Sequence, residues 1–171
     1  MAQTFGVYGV GPVEMESVSN VTATNSVNLG EVRFVGGDEY IYVYNAGTGT
    51  INVGQFAVLS ANSGYSVSVS SITSFDFPIG FAKHAAIPAG SYGWLLARGF
   101  TSVNFASNTG GALSDLLYPG AMGNVASLGK VTASLTCSII YQPIGYLVSA
   151  AATIGASTQT SGLAYVRCYG T

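Results

Sequence analysis

Catalysis at neutral pH needs a nucleophile, an acid–base pair or a metal set, and this 171-residue chain has few residues from which to build one. His84 is the single histidine, in Ala82-Lys83-His84-Ala85, so neither a multi-histidine metal cluster nor a two-histidine relay can form. A Ser-His-Asp triad would have to use the same residue, and the Gly-x-Ser-x-Gly elbow that presents such a serine does not occur. His84 therefore reads as an ordinary loop or strand-end residue. An enzymatic reading would need a pocket that gathers it with Asp76 or Asp115. Cys137 sits in Val131-Thr132-Ala133-Ser134-Leu135-Thr136-Cys137-Ser138-Ile139, where odd positions are apolar and even ones Ser or Thr. That alternation puts its thiol on a buried strand face, away from the electropositive exposed setting of a reactive thiolate. Asp38 and Glu39 are adjacent in a strand and point to opposite faces, which does not suit paired-carboxylate cleavage. No Asp-x-Asp-x-Asp-Gly calcium loop is present. The sequence thus assigns no catalytic residue, no cofactor and no metal site.

Arg33-Phe34-Val35-Gly36-Gly37-Asp38-Glu39-Tyr40 resembles the Gly-Gly-Asp-Glu-Phe hairpin of diguanylate cyclases. That family requires an α/β domain with a long segment before the hairpin, whereas only 35 residues precede Gly36 and helical periodicity is scarce. Gly36-Gly37 reads instead as a tight turn leading into the next strand, and cyclase activity is rejected. In that strand Tyr40, Tyr42 and Tyr44 share one face, forming an aromatic stripe that could stack on sugars or on a protein partner. The interface reading is preferred, with Tyr40, Tyr42, Tyr44 and Trp94 as candidate contact residues.

Composition points the same way. Hydrophobic residues make up 49% and charged residues 7%, against about 25% charged in ordinary soluble domains. Mean hydropathy is +0.43, yet no run approaches the roughly 18 apolar residues of a spanning helix, so no membrane partner is expected. The apolar content is placed in a core and in subunit contacts. Net charge is −2, and Arg33, Lys83, Arg98, Lys130 and Arg167 are scattered singly. Direct nucleic-acid binding would need a basic stripe. The first residues lack the positive and apolar regions of a secretory signal, so synthesis in a cytoplasm is expected. Cys137 and Cys168 then read as free core thiols, with a bridge left open should their strands pair.

The elements that must carry these residues are strands. Residues 1–30 read as an extended arm, with Gly6, Gly9, Gly11 and Pro12 as breakers before a polar run, an arm suited to reach a neighbouring subunit. Residues 31–171 read as a duplicated β domain. Period-two alternation begins at Glu31; Glu39 to Asn45, a turn at 46–49 and Ile51 to Val53 give a hairpin signal. Gly64 to Ser70 is a second alternating strand, and Leu113 to Tyr118 is a candidate turn of helix. Phe77-Pro78-Ile79-Gly80-Phe81-Ala82 is echoed 65 residues later by Gln142-Pro143-Ile144-Gly145-Tyr146-Leu147. Ala-rich stretches follow both, and each run ends on a glycine-led apolar strand closing in arginine, Gly93 to Arg98 and Gly162 to Arg167. Two copies of one β unit, about 54–99 and 111–170, are expected. The fold class is all-β, with two small barrel-like or sandwich-like units behind an N-terminal arm.

Gly54-Gln55-Phe56-Ala57-Val58-Leu59, Gly64-Tyr65-Ser66-Val67, Pro78-Ile79-Gly80-Phe81-Ala82 and Ile87-Pro88-Ala89-Gly90-Ser91-Tyr92-Gly93-Trp94 resemble the repeated unit of tailed-phage capsid decoration, or cement, proteins. The second copy is degenerate, lacking the tryptophan and the Ala-Gly turn. The resemblance implies a non-enzymatic bacteriophage structural protein on the exterior of the virion capsid. Its implied partners are the major capsid protein, whose capsomer contacts it would stabilise, and further copies of itself, as a homotrimer. The alternative is a glycan- or receptor-binding module of a head fibre or tail spike, using the Tyr40-Tyr42-Tyr44 face.

Overall fold

Gly36 and Gly37 have φ of +60° and +90°, the two positive values that a two-residue hairpin turn of the primed type requires. They join strand β1 (Val32–Val35) to β2 (Asp38–Asn45), paired antiparallel with Val35 opposite Asp38. The expected turn into the tyrosine strand is thus formed. The computed structural model describes residues 16–60, 64–69, 78–105, 113–119, 131–132, 143–149 and 161–168. Among these the remaining strands are β3 (Phe56–Leu59), β4 (Ser66–Ser68), β5 (Pro78–Phe81), β6 (Tyr92–Asn104), β7 (Leu116–Pro119), β8 (Val131–Thr132), β9 (Gly145–Leu147) and β10 (Ser161–Arg167). No helix occurs among the described residues.

The fold is all-β, and five strands close on themselves. β2, β4, β3, β5 and β6 are hydrogen-bonded in that order, and a β2–β6 pairing completes the ring. One pair, β2–β4, is parallel. Closure removes the edges that a chain with so few charges could not otherwise protect. Inside lie Ile41, Val43, Ala57, Val67, Ile79, Leu95 and Ala97, contributed by all five strands, with Ile51, Ala82 and Ile87. A narrow ring admits such small and branched side chains, while the aromatic residues of alternate positions go outside.

That outside face, with Tyr40, Tyr42, Phe56, Phe81, Trp94 and Leu96, is itself buried. Two parts of the chain cover it. Val18, Val27 and Leu29 pack on it from the N-terminal side. From the other side come Val103, Leu117, Leu147, Ala164 and Val166 of the remaining strands.

These strands extend the sheet. β6 is 13 residues long: its first half lines the ring, and its second half pairs with β10 from Arg98 opposite Arg167 to Asn104 opposite Ser161. β9, β7 and β8 follow. From the central β6–β10 pair the order runs β6-β5-β3-β4 in one direction and β10-β9-β7-β8 in the other. Phe56 pairs with Phe81 and Ala57 with Gly80; in the other run Leu116 pairs with Tyr146 and Leu117 with Gly145. The two Pro-Ile-Gly glycines face the same demand. A Cβ on Gly80 would lie 2.9 Å from the Leu96 carbonyl oxygen, and one on Gly145 2.3 Å from that of Tyr165. Neither crossing leaves room for a side chain.

Several expectations are corrected. Residues 16–30 are not a free arm: Thr22 and Tyr92 exchange backbone hydrogen bonds, and Gly30 N–H donates to the Tyr42 carbonyl. Their apolar residues, sparse in the polar run, reach a surface on this same chain. Residues 1–15 lie outside the described residues. Ile51 does not return along β2 as a hairpin but bridges Ile87, because β2 is already flanked by β1 and β4 on one edge and β6 on the other. Residues 113–118 form a turn and the start of β7 rather than helix, with Ser114 at φ +70°. Of the alternating strand expected over Gly64 to Ser70, β4 takes Ser66–Ser68, while Ser70 lies outside the described residues.

Candidate functional site

Among the described residues, four titratable side chains, Asp38, Tyr40, Lys83 and His84, come together where β2 and β6 part. The register of this pair shifts between Glu39 and Tyr40, leaving a bulge. Beside it Gly99 adopts φ +142°, and a Cβ there would fall 2.0 Å from Asp38 Oδ1. The space thus kept holds the Asp38 carboxylate, which accepts from Lys83 Nζ, from the Tyr40 hydroxyl at 3.2 Å and from the Phe100 backbone N–H at 3.3 Å. His84 completes the group, its Nε2 2.8 Å from the Tyr40 hydroxyl and its ring stacked on Tyr40 at 5.6 Å.

The electrostatics keep the Tyr40 phenol from ionising to a phenolate nucleophile. Burial, then the Asp38 charge and hydrogen bond, push the Tyr40 phenol well above its ordinary range, so it stays protonated. Partial burial and the Lys83 ammonium lower the His84 imidazole, opposed by Asp38. The Asp38 carboxylate is taken up by three donors and lies over the strand junction. This network fastens the ring where β6 leaves it. Among the described residues no three His, Cys, Asp or Glu side chains come together as a metal site. His84 is linked to Asp38 through the Tyr40 hydroxyl, while Asp76 lies outside the described residues and Asp115 precedes β7.

The candidate contact residues take unexpected places. Tyr40, Tyr42 and Trp94 are 2%, 0% and 4% exposed, so they are core residues of this chain and not an outward platform. Tyr42 opposes Trp94 across β2 and β6, their ring centroids 5.0 Å apart, and its hydroxyl meets Ser26 Oγ at 3.0 Å. The Arg33 guanidinium lies 4.4 Å from the Trp94 ring, a cation–π contact. Tyr44, half-buried, packs on Tyr92 at 4.8 Å. Alternation correctly put the tyrosines on one face, but that face is the covered outside of the ring.

Cys168 has a free, fully buried thiol that burial pushes up to about 12, so it is no nucleophile. Cys137 and the strand expected around it beyond Thr132 lie outside the described residues, as does any statement of its pairing.

What the sequence reading missed is a surface. In the second half of the sheet the inward face packs on the ring, while the outward face carries a transverse row. Phe100 opposes Tyr165, Tyr165 opposes Tyr146, and Tyr146 opposes Leu116. The rings touch in sequence, Phe100–Tyr165 at 5.1 Å and Tyr165–Tyr146 at 5.5 Å. Leu163, opposite Ser102, lies on the same face two residues along. Phe100, Leu116, Tyr146 and Leu163 are 49%, 49%, 42% and 46% exposed. The available signal was the pairing of the two arginine-ended strands, which fixes this row, but it could not be read before the topology was known.

No family model matches the chain, and no curated protein matches it. Among solved structures it is similar to the crystal structure of the N base of the head fibre gp8.5 of bacteriophage phi29, at 11% identity and a TM-score of 0.45. That likeness covers 74% of this chain and 93% of the other.

Proposed function

We propose that this chain is a non-enzymatic structural protein of a bacteriophage head, attached to the outer capsid surface and stabilising contacts between capsomers. The observation that carries the reading is how the chemistry-bearing side chains are disposed. Asp38, Tyr40, Lys83 and His84 hold the ring together, while the outward sheet face carries a row of apolar and aromatic side chains between polar ends. A surface of this kind is suited to being covered by protein. The resemblance of the 54–94 segments to capsid decoration proteins supports the same reading, as does a composition with 7% charged residues. On this reading the two strand runs of one order are copies of one unit, the major capsid protein is the partner, and copies assemble, as trimers in the family resembled.

The test is attachment. Capsids assembled from the major capsid protein of the same genome are mixed with the purified chain and sedimented. Saturable co-sedimentation at a fixed ratio is expected; none at any concentration overturns capsid decoration. The alternative, a glycan- or receptor-binding module, loses its Tyr40-Tyr42-Tyr44 platform to the core and would have to use the exposed Phe100 and Tyr146. Glycan-array binding abolished by Tyr146→Ala, without capsid attachment, would favour it.

A further inference from the structure

The geometry points to a covalent bond: the Lys83 amine and the Asp38 side-chain carboxyl condense within the folded chain to an amide that locks the ring. The inference does not depend on capsid attachment, since it rests on the strand junction alone.

Free in water, an amine and a carboxyl remain ions, because both charges are solvated and their encounters are brief. Both conditions change at the junction. Lys83 Nζ donates directly to Asp38 Oδ2, and the two side chains are only 24% and 17% exposed. Loss of water weakens the ion pair relative to a neutral product and leaves less water to reverse the bond. Fixed contact supplies the rest, since well-oriented groups within one molecule react as though at about 10⁵ M or more.

Both groups are held by the fold. Asp38 begins β2 directly after the Gly36-Gly37 turn, in the space that Gly99 leaves. Lys83 follows Ala82, which is fully buried, donates its N–H to the Gln55 carbonyl and accepts from the Gly54 N–H. By contrast, the Arg33–Glu31 and Arg98–Glu39 pairs use guanidinium groups, which keep their protons and do not condense.

The surrounding donors fit the step. One ammonium proton passes to Oδ2, and the freed nitrogen lone pair attacks Cγ. As the Nζ–Cγ bond forms, an electron pair shifts onto Oδ1, which accepts from the Phe100 backbone N–H at 3.3 Å. A second nitrogen proton then goes to Oδ2, the Cγ–Oδ2 bond breaks and one water leaves. Tyr40, kept protonated chiefly by burial, donates to that departing oxygen at 3.2 Å. His84 Nε2 fixes the Tyr40 hydroxyl from 2.8 Å. Ammonium and carboxylate together supply every atom of the amide and the water, so the step needs no co-reactant.

Mass spectrometry of the purified full chain, denatured after folding, tests this. The expected mass is about 18 Da, one water, below that of the sequence, and Lys83→Arg restores the full value. Trypsin locates the loss without any variant. No lysine or arginine lies between Arg33 and Lys83, so an unlinked chain releases peptide 34–83. A linked Lys83 is not cleaved, and the single peptide 34–98 carries the deficit. Release of 34–83 at its full mass overturns the inference and leaves Asp38 and Lys83 as an ion pair. So does a deficit that persists in Lys83→Arg, or one that maps outside 34–98.

Discussion

At the scale of single residues, the strand junction combines a conformational and a steric requirement. Gly99 lies in a region of φ that L residues avoid, and a Cβ would strike the Asp38 carboxylate. Gly99→Ala should therefore destabilise the fold by about 3 kcal/mol, through strain and displacement of Asp38 from Lys83 and Tyr40. Thermal denaturation checks it; a melting temperature within about 1 °C of the parent would mean that the junction relaxes freely. His84 makes the same network respond to pH. Its folded-state pKa lies below the ordinary value of 6.5, so as pH falls the unfolded chain takes up the proton first. The histidine's contribution is fully present above that value and is lost as pH drops through the folded pKa. The stability of His84→Gln should consequently fall less than that of the parent between pH 7.5 and 5, read as the difference between two melting-temperature profiles. Parallel profiles would sink the assignment. None of this network was legible in the sequence beyond the types of its members. Asp38 and Lys83 are 45 positions apart, and only ring closure brings them together.

At the scale of elements, the ring depends on one buried polar side chain. Asn45 ends β2 with 0% exposure; its Nδ2 donates to the carbonyls of Gly49 and Ile87, and its Oδ1 accepts from the Gly47 N–H. One amide thus closes the turn after β2 and ties it to the Ile51–Ile87 bridge. Asn45→Ala would take this partner from the Gly47 N–H and the Gly49 carbonyl and leave the Ile87 carbonyl with the Ile51 N–H alone, and should cost about 2–4 kcal/mol, measured by urea denaturation; a loss under about 0.5 kcal/mol would show that water replaces the amide at no expense. The strands on either side show what patterning can reveal. The Gly36-Gly37 hairpin and the alternating β2 were legible because their signals are local, resting on backbone sterics and a period of two. The partners of β2 were not. Hydropathy cannot distinguish a strand returning at once from one that waits for β4 and β6, and β6 continues past the arginine that looked like its end. Alternation also fails for a strand covered on both sides, such as Tyr40 to Val43, where every residue is buried.

At the scale of the whole molecule, the two runs of strands are not independent bodies. Their backbones meet along β6 and β10, and one apolar cluster contains both Trp94 of the ring and Ala164, Val166 and Cys168 of the other run. The Cys168 N–H also donates to the Ala97 carbonyl at 2.9 Å, stitching the end of β10 to β6. Detaching the second run would expose the aromatic outside of the ring, with each large side chain uncovered costing about 1.5–3 kcal/mol. Neither part can shed that surface alone, so unfolding should be a single cooperative transition. Two reporters already present test this. Fluorescence of Trp94, the sole tryptophan, follows uncovering of the ring, while reactivity of Cys168 follows release of β10, its thiol being inert while buried. In a Cys137→Ser background, which leaves one cysteine, the two midpoints in urea should coincide within about 0.2 M, well inside the width set by a typical urea slope. Labelling of Cys168 at lower urea than the tryptophan transition would instead mean that the second run opens first and that the ring is stable without its cover. Coincidence would make the covered aromatic face of the ring, which looked like a docking platform in sequence, the internal joint that makes the chain one body.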